Sequence, residues 1–126
     1  MKKVYATSQA PEAIGPYSQA VEVDSTIYIS GQIPLVPETM EIVGETVEEQ
    51  THQVMKNIGA ILNQTGLTYD HLVKLTILLD DMSDFATVND IYASYLYEPY
   101  PARAAYEVSQ LPKNVKVEIE GIAKRF

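Results

Sequence analysis

The chain has 126 residues, 46% hydrophobic and 21% charged, the mix of an ordinary folded protein, and its length suits a single domain over residues 1–126. It has no cysteine, which excludes disulfides, thiolate metal sites and cysteine nucleophiles, and its two histidines, His52 and His71, are poor material for a metal centre. Seventeen acidic against nine basic residues give a net charge of −8, which argues against binding a phosphate backbone; with no apolar run behind Lys2-Lys3 and none of membrane-spanning length, a cytoplasmic protein is expected.

In chain order, residues 18–23 and 27–30 are short apolar-rich runs separated by Asp24-Ser25, which predicts a β-hairpin. Residues 33–44 contain Pro34, Pro37 and Gly44 without a sustained period and read as a long loop with at most a short edge strand. From Thr46 the pattern turns helical: Val47, Thr51, Val54, Ile58, Ile61, Leu62 and Thr65 recur at three- and four-residue spacing, and Gly66 is placed to end the helix. His52, Gln53, Lys56 and Asn57 fall on its other faces.

Residues 72–79 are almost continuously apolar, which predicts a central strand buried on most of both faces. Asp80-Asp81 ends it, and Ser83 is placed to cap a second helix reaching about Tyr97, with Phe85, Val88, Ile91, Tyr92, Tyr95 and Leu96 as its apolar stripe. Beyond Pro99 and Pro101, residues 102–109 and 115–123 read as two more strands. In the last, Val115, Val117 and Ile119 alternate with Lys116, Glu118 and Glu120.

This order predicts an α+β fold, a two-layer sandwich of a mixed β-sheet with both helices on one face. Nothing remains to cover the other face, which is expected to carry Arg103, Glu107 and Glu118 and to pack against further copies of the chain.

Walker, dinucleotide-binding, nucleophile-elbow and zinc-protease motifs are all missing. The polar residues at strand ends and turns remain. Two prolines fix the backbone before Arg103, whose planar fork suits a bidentate grip on a carboxylate; the alternative is an ion pair with Glu118 or Glu120 on a neighbouring strand. Glu118 has the chemistry to orient a water or act as general base, or it lies on a solvated strand face. Tyr17 follows the turn Ile14-Gly15-Pro16 and either rims a cleft or packs. Ser30-Gly31 offers a hydroxyl beside approachable backbone, and Asn89 either hydrogen-bonds into a site or faces solvent.

Read in order, Ala13-Ile14-Gly15-Pro16-Tyr17-Ser18-Gln19-Ala20, Ser30-Gly31-Gln32-Ile33-Pro34, Asp84-Phe85-Ala86-Thr87-Val88-Asn89, Pro101-Ala102-Arg103 and Val117-Glu118-Ile119 resemble the RidA family of reactive-intermediate enamine/imine deaminases over essentially the whole chain. The resemblance implies a chorismate-mutase-like fold and a homotrimer with a ligand cleft at each subunit interface. It also implies hydrolysis of 2-imino acids, formed from 2-aminoacrylate and 2-aminocrotonate, to 2-oxo acids and ammonia without cofactor or metal. It assigns carboxylate binding to Arg103, water orientation to Glu118 and cleft closure to Tyr17, with Ser30, Gly31 and Asn89 lining the cleft. Many relatives have a cysteine where this chain has Ala105, which puts any thiol chemistry in doubt. A second reading is a small-metabolite-binding regulatory module of the same family with little or no turnover.

Overall fold

The computed structural model describes residues 1–126. Strands β2 (Ala20–Val23) and β3 (Thr26–Gln32) form the expected hairpin. Asp24 and Ser25 both take positive φ, 49° and 65°, the two-residue turn whose twist matches that of the strands it joins. A three-residue strand, β1 (Lys3–Tyr5), pairs with the outer edge of β2; it is too short to show a period in the sequence.

Helix α1 (Val47–Gln64) begins at Thr46, whose hydroxyl accepts from the Glu49 amide while the Glu49 side chain accepts from the Thr46 amide. It ends at Gly66, with φ 83°. Its buried stripe is wider than the apolar spacing predicts, because Gln50 and Asn57 are buried too. Asn57 therefore does not lie on a solvent face. Its Nδ2 donates to the carbonyls of Ile33 and Leu35, and Gln50 donates to the Gly44 carbonyl and accepts from the Lys116 amide. The loop over residues 33–44 lies against α1, and its buried carbonyls need these donors. The loop carries the isolated bridge Leu35–Ile42.

Strand β4 (Leu72–Leu79) buries Leu72, Leu75, Ile77 and Leu79 but leaves Val73 and Lys74 exposed, so within one chain it is covered on one face, not both. The second helix also departs from expectation. Asp81, not Ser83, accepts the first free amide, a 3-10 turn fills Met82–Asp84, and α2 runs over Phe85–Ser94 only. Strand β5 (Ala102–Glu107) returns parallel to β4, and β6 (Val117–Lys124) inserts antiparallel between β3 and β4. The result is a six-stranded mixed sheet in the order β1-β2-β3-β6-β4-β5.

Both helices pack on one face, where Ile27, Leu75, Ile77, Val117 and Ile119 meet Val54, Ile58, Leu62 and Val88 in the core. Side chains of this size each contribute roughly 1.5–3 kcal/mol when fully buried. The register then decides which polar residues face which way. Arg103 and Glu107 are paired with Leu75 and Leu79, so they share the helix-covered side of the sheet, at its β5 edge; Glu118 is paired with Leu78 and lies on the open side. The expectation that all three share the open face is thus wrong for Arg103 and Glu107. The parallel β4–β5 pairing sets them in phase with core residues. The open side carries Val4, Tyr28 and Tyr106, which are 57%, 47% and 56% exposed, together with Ile122, Glu118 and Glu120.

Candidate functional site

Arg103 stands at the start of edge strand β5, directly across from α2. Its guanidinium carbon lies 5.1 Å from the Phe85 ring centre and 5.6 Å from that of Tyr92, and its Nη1 donates to Asn89 Oδ1. Aromatic faces hold a guanidinium without using its donors, and only one of the five N–H groups is spent on Asn89. No carboxylate pairs with it. The only ion pair in the chain joins Arg125 to Glu22, at 3.0 Å. The alternative of an Arg103 pair with Glu118 or Glu120 fails because β4 stands between β5 and β6 and the glutamates point to the opposite side of the sheet.

Glu118 has a different setting. The β3–β6 pairing shifts register between Ile29 and Gln32, and Gly31, inside that irregularity, faces the Glu118 carboxylate. A Cβ on Gly31 would lie 2.0 Å from Glu118 Oε2, so any side chain here would push the carboxylate out of this position. No hydrogen bond within the chain holds the carboxylate, and the half-buried setting, with Glu120 adding like charge, pushes its pKa above the ordinary carboxylate range.

Tyr17 and Ser30 belong to the same half of the site. Gly15, at φ 115°, makes the turn that ends in the Tyr17 amide donating to the Gly15 carbonyl. The Ser30 hydroxyl donates to the Ser18 carbonyl, which leaves only its lone pairs for a ligand. Tyr17, Ser30 and Glu120 line an open-face cavity of about 680 Å³, and Tyr17 and Gly31 line a second of about 360 Å³. The sequence-derived residues thus fall into two groups, Arg103 with Asn89 and Glu118 with Gly31, Ser30 and Tyr17. One chain does not bring the two groups together.

Sequence reading missed Gln19. Its buried amide accepts from the Thr7 amide and donates to the carbonyls of Thr7, Ala10 and Pro11, tying down the segment that leads to Tyr17. A glutamine placed immediately before the apolar start of β2 was the available signal. The histidines stay apart: His52 meets the Tyr95 hydroxyl at 2.7 Å, and His71 accepts from the Thr68 amide. No three His, Asp or Glu side chains are grouped to hold a metal ion, and no helix is long and apolar enough to cross a membrane.

The profile of the family described as Endoribonuclease L-PSP matches residues 7–125. The 2-iminobutanoate/2-iminopropanoate deaminase of Mus musculus is 53% identical over 123 residues, 98% of this chain and 91% of its own. The chloroplastic Reactive Intermediate Deaminase A of Arabidopsis thaliana is 52% identical over 122 residues; the match takes in 97% of this chain but only 65% of that longer one. Among solved structures, RidA from an Antarctic Psychrobacter superposes with a TM-score of 0.94 at 47% identity, covering 98% of this chain and 99% of that one. TdcF of E. coli with bound serine gives 0.94 at 42% identity, with the same coverages. On this full-length match in sequence and in fold, the chain belongs to the RidA family of the Endoribonuclease L-PSP group.

Proposed function

We infer that this protein is a 2-iminobutanoate/2-iminopropanoate deaminase, hydrolysing small 2-imino acids to 2-oxo acids and ammonia. The observation that carries this reading is the full-length match, at about half identity, to relatives named for that activity. The unpaired Arg103 fork supports it, as does the serine held by the TdcF relative, a ligand with the same carboxylate.

The active form is a homotrimer in which Arg103 and Asn89 of one copy face Glu118, Gly31, Ser30 and Tyr17 of the next. The separation of the two groups across the sheet of one chain and the uncovered apolar side of that sheet both favour this arrangement. Arg103 grips the substrate carboxylate, and Asn89 steadies the guanidinium. Glu118, with a backbone carbonyl, holds a water against C2, and its raised pKa makes the ionised carboxylate a stronger proton acceptor.

The water oxygen adds to C2 while the C=N π pair moves to nitrogen and a water proton passes to Glu118. Glu118 passes that proton to the nitrogen, which gives the neutral carbinolamine. This collapses as its hydroxyl proton moves by way of Glu118 to the nitrogen, the C2–N bond breaks, the oxygen becomes the 2-oxo group and ammonia leaves. Tyr17 closes the cleft over these steps, and holding imine and water together supplies most of the acceleration. Residues of this chain suffice for every step.

The direct test couples the protein to a threonine dehydratase and follows release of ammonia and 2-oxobutanoate. Faster release than with the dehydratase alone is expected from the parent and not from Arg103→Ala. A parent without effect would favour the regulatory, ligand-binding reading.

A further inference from the structure

The cradle of Arg103 belongs wholly to α2. Phe85, Asn89 and Tyr92 recur at spacings of four and three and form one stripe of the helix, with the guanidinium against both rings and bonded to Asn89. Where the guanidinium points therefore depends on where α2 lies. The helix is short, buries only Val88 and Tyr92, and gains no side-chain cap from Asp84, so it leans on a few fixed points. At its start, the Met82 amide of the preceding 3-10 turn donates to Glu107 on β5.

At its other end the anchor is on α1. Tyr95, one turn beyond Tyr92, puts its hydroxyl 2.7 Å from Nδ1 of the exposed His52, and in either tautomer of the ring one group donates to the other. The Tyr95 ring also meets two others, its centre 5.7 Å from that of His52 and 5.6 Å from that of Tyr69, tilted by 60° and 56°. Tyr69 is itself fixed: its hydroxyl donates to the Met55 carbonyl of α1 at 2.7 Å, in a space that Gly59 leaves open, since a Cβ there would lie 2.3 Å from the Tyr69 oxygen. His52 stands on α1 between the buried residues Thr51 and Val54, so the backbone that carries it is fixed by the core.

We propose that His52 and Tyr95 are positioning residues of the carboxylate site: their link holds α2 and, through Phe85, Asn89 and Tyr92, aims the Arg103 guanidinium at the substrate. The proposal rests on the deaminase reading and on Arg103 as the carboxylate anchor. Both residues act on the guanidinium only through α2. A carboxylate grip acts alike on the bound imine and on its transition state, so slackening the tether weakens binding and leaves the chemical step unchanged. A loss of stability alone does the opposite. It lowers the amount of active protein, and with it the apparent kcat, while the molecules that remain folded bind as before.

The test supplies 2-iminobutanoate from an L-amino-acid oxidase acting on 2-aminobutyrate, sets its steady level by the amount of oxidase, and reads deamination as suppression of the semicarbazone formed by trapped imine. Titration calorimetry with 2-oxobutanoate measures carboxylate binding independently of turnover. His52→Phe, which keeps a ring and removes the hydrogen bond, and Tyr95→Phe should each raise KM and the 2-oxobutanoate Kd about threefold or more, with kcat within about twofold of the parent. His52→Asn, whose amide has a polar atom as far along the side chain as Nδ1, should return both constants toward the parental values. The double variant should be no weaker than either single one, because each removes the same contact. Variants that bind and turn over like the parent, that lose kcat at unchanged KM and Kd, or whose loss His52→Asn leaves unrecovered would overturn the positioning role while leaving the deaminase reading intact. A parent that binds 2-oxobutanoate without accelerating imine loss would overturn the deaminase reading, and the Kd ratios would still decide the tether. A parent that does neither would overturn both.

Discussion

Arg103 and Glu118 illustrate two ways of keeping a charged group available. Arg103 rests on Phe85 and Tyr92 and hydrogen-bonds Asn89 but has no counter-ion, so its fork remains free for a carboxylate. Arg103→Ala should lower kcat/KM by about 100-fold or more, and Arg103→Lys should recover only part, because an ammonium cannot offer the planar pair of donors. Steady-state kinetics on the dehydratase-coupled assay measures both.

Glu118 is held by space. Gly31→Ala puts a methyl group where the carboxylate lies and should cost turnover by about 100-fold while thermal stability changes little, since Gly31 has no positive φ that an alanine would strain. The pH dependence follows from the sign of the Glu118 shift. Burial first, then Glu120, raises its pKa in the folded chain, so between the unfolded and folded values the folded state binds more protons and stability falls as pH rises. Glu118→Gln should therefore unfold at a higher temperature than the parent at pH 7, and this advantage should vanish at low pH, where Glu118 is protonated in both states. The parent's activity should also fall on the acid side at a pH above the ordinary carboxylate range.

The elements explain why much of the fold could be read in advance and some of it could not. The Asp24-Ser25 hairpin, the helical period that begins at Thr46 and the Gly66 stop are local signals, and the structure follows them. What failed was non-local. The insertion of β6 between β3 and β4 put β4 between Arg103 and Glu118, and the parallel register turned Arg103 toward the helices; neither fact is encoded in a window of neighbouring residues. The candidate residues were singled out from ordered motifs, while their division into two groups was not legible there. Asn57 escaped notice for the same reason, since its partners lie more than twenty residues away. Asn57→Ala should destabilise the fold by about 1–3 kcal/mol in denaturant unfolding, because the Leu35 carbonyl loses its donor and the Ile33 carbonyl keeps only the Leu35 amide. Gly121→Ala should cost a similar ~1–3 kcal/mol, as its Cβ would lie 2.7 Å from Leu75 Cδ2.

At the scale of the molecule, the chain clasps its own ends. Arg125, next to the C-terminus, reaches both carboxylate oxygens of Glu22 and the Thr65 carbonyl, and the Tyr5 hydroxyl donates to Glu22, joining β1, β2 and the end of α1. The Arg125 hydrogen bond, then that of Tyr5, lowers the Glu22 pKa from 4.5 to about 2. The stability this contributes is present above pH 4.5 and is lost as the pH falls toward 2. Glu22→Gln should be less stable than the parent at pH 7, and the difference should shrink below pH 4.5 and close only as the pH falls through about 2, which thermal unfolding across that range would show.

The central claim, that each site is built from two copies, is tested most directly by mixing two inactive variants. On the proposed assignment Arg103→Ala lacks the carboxylate grip and Glu118→Gln the water acceptor, and in the proposed trimer of mixed subunits some interfaces would pair an intact Arg103 with an intact Glu118. After the two are unfolded together in equal amounts and refolded, random assembly should restore about one quarter of parental deaminase activity, since both chance assignments at an interface must be right. Mixed oligomers detected by native mass spectrometry but showing no recovered activity would contradict the shared site.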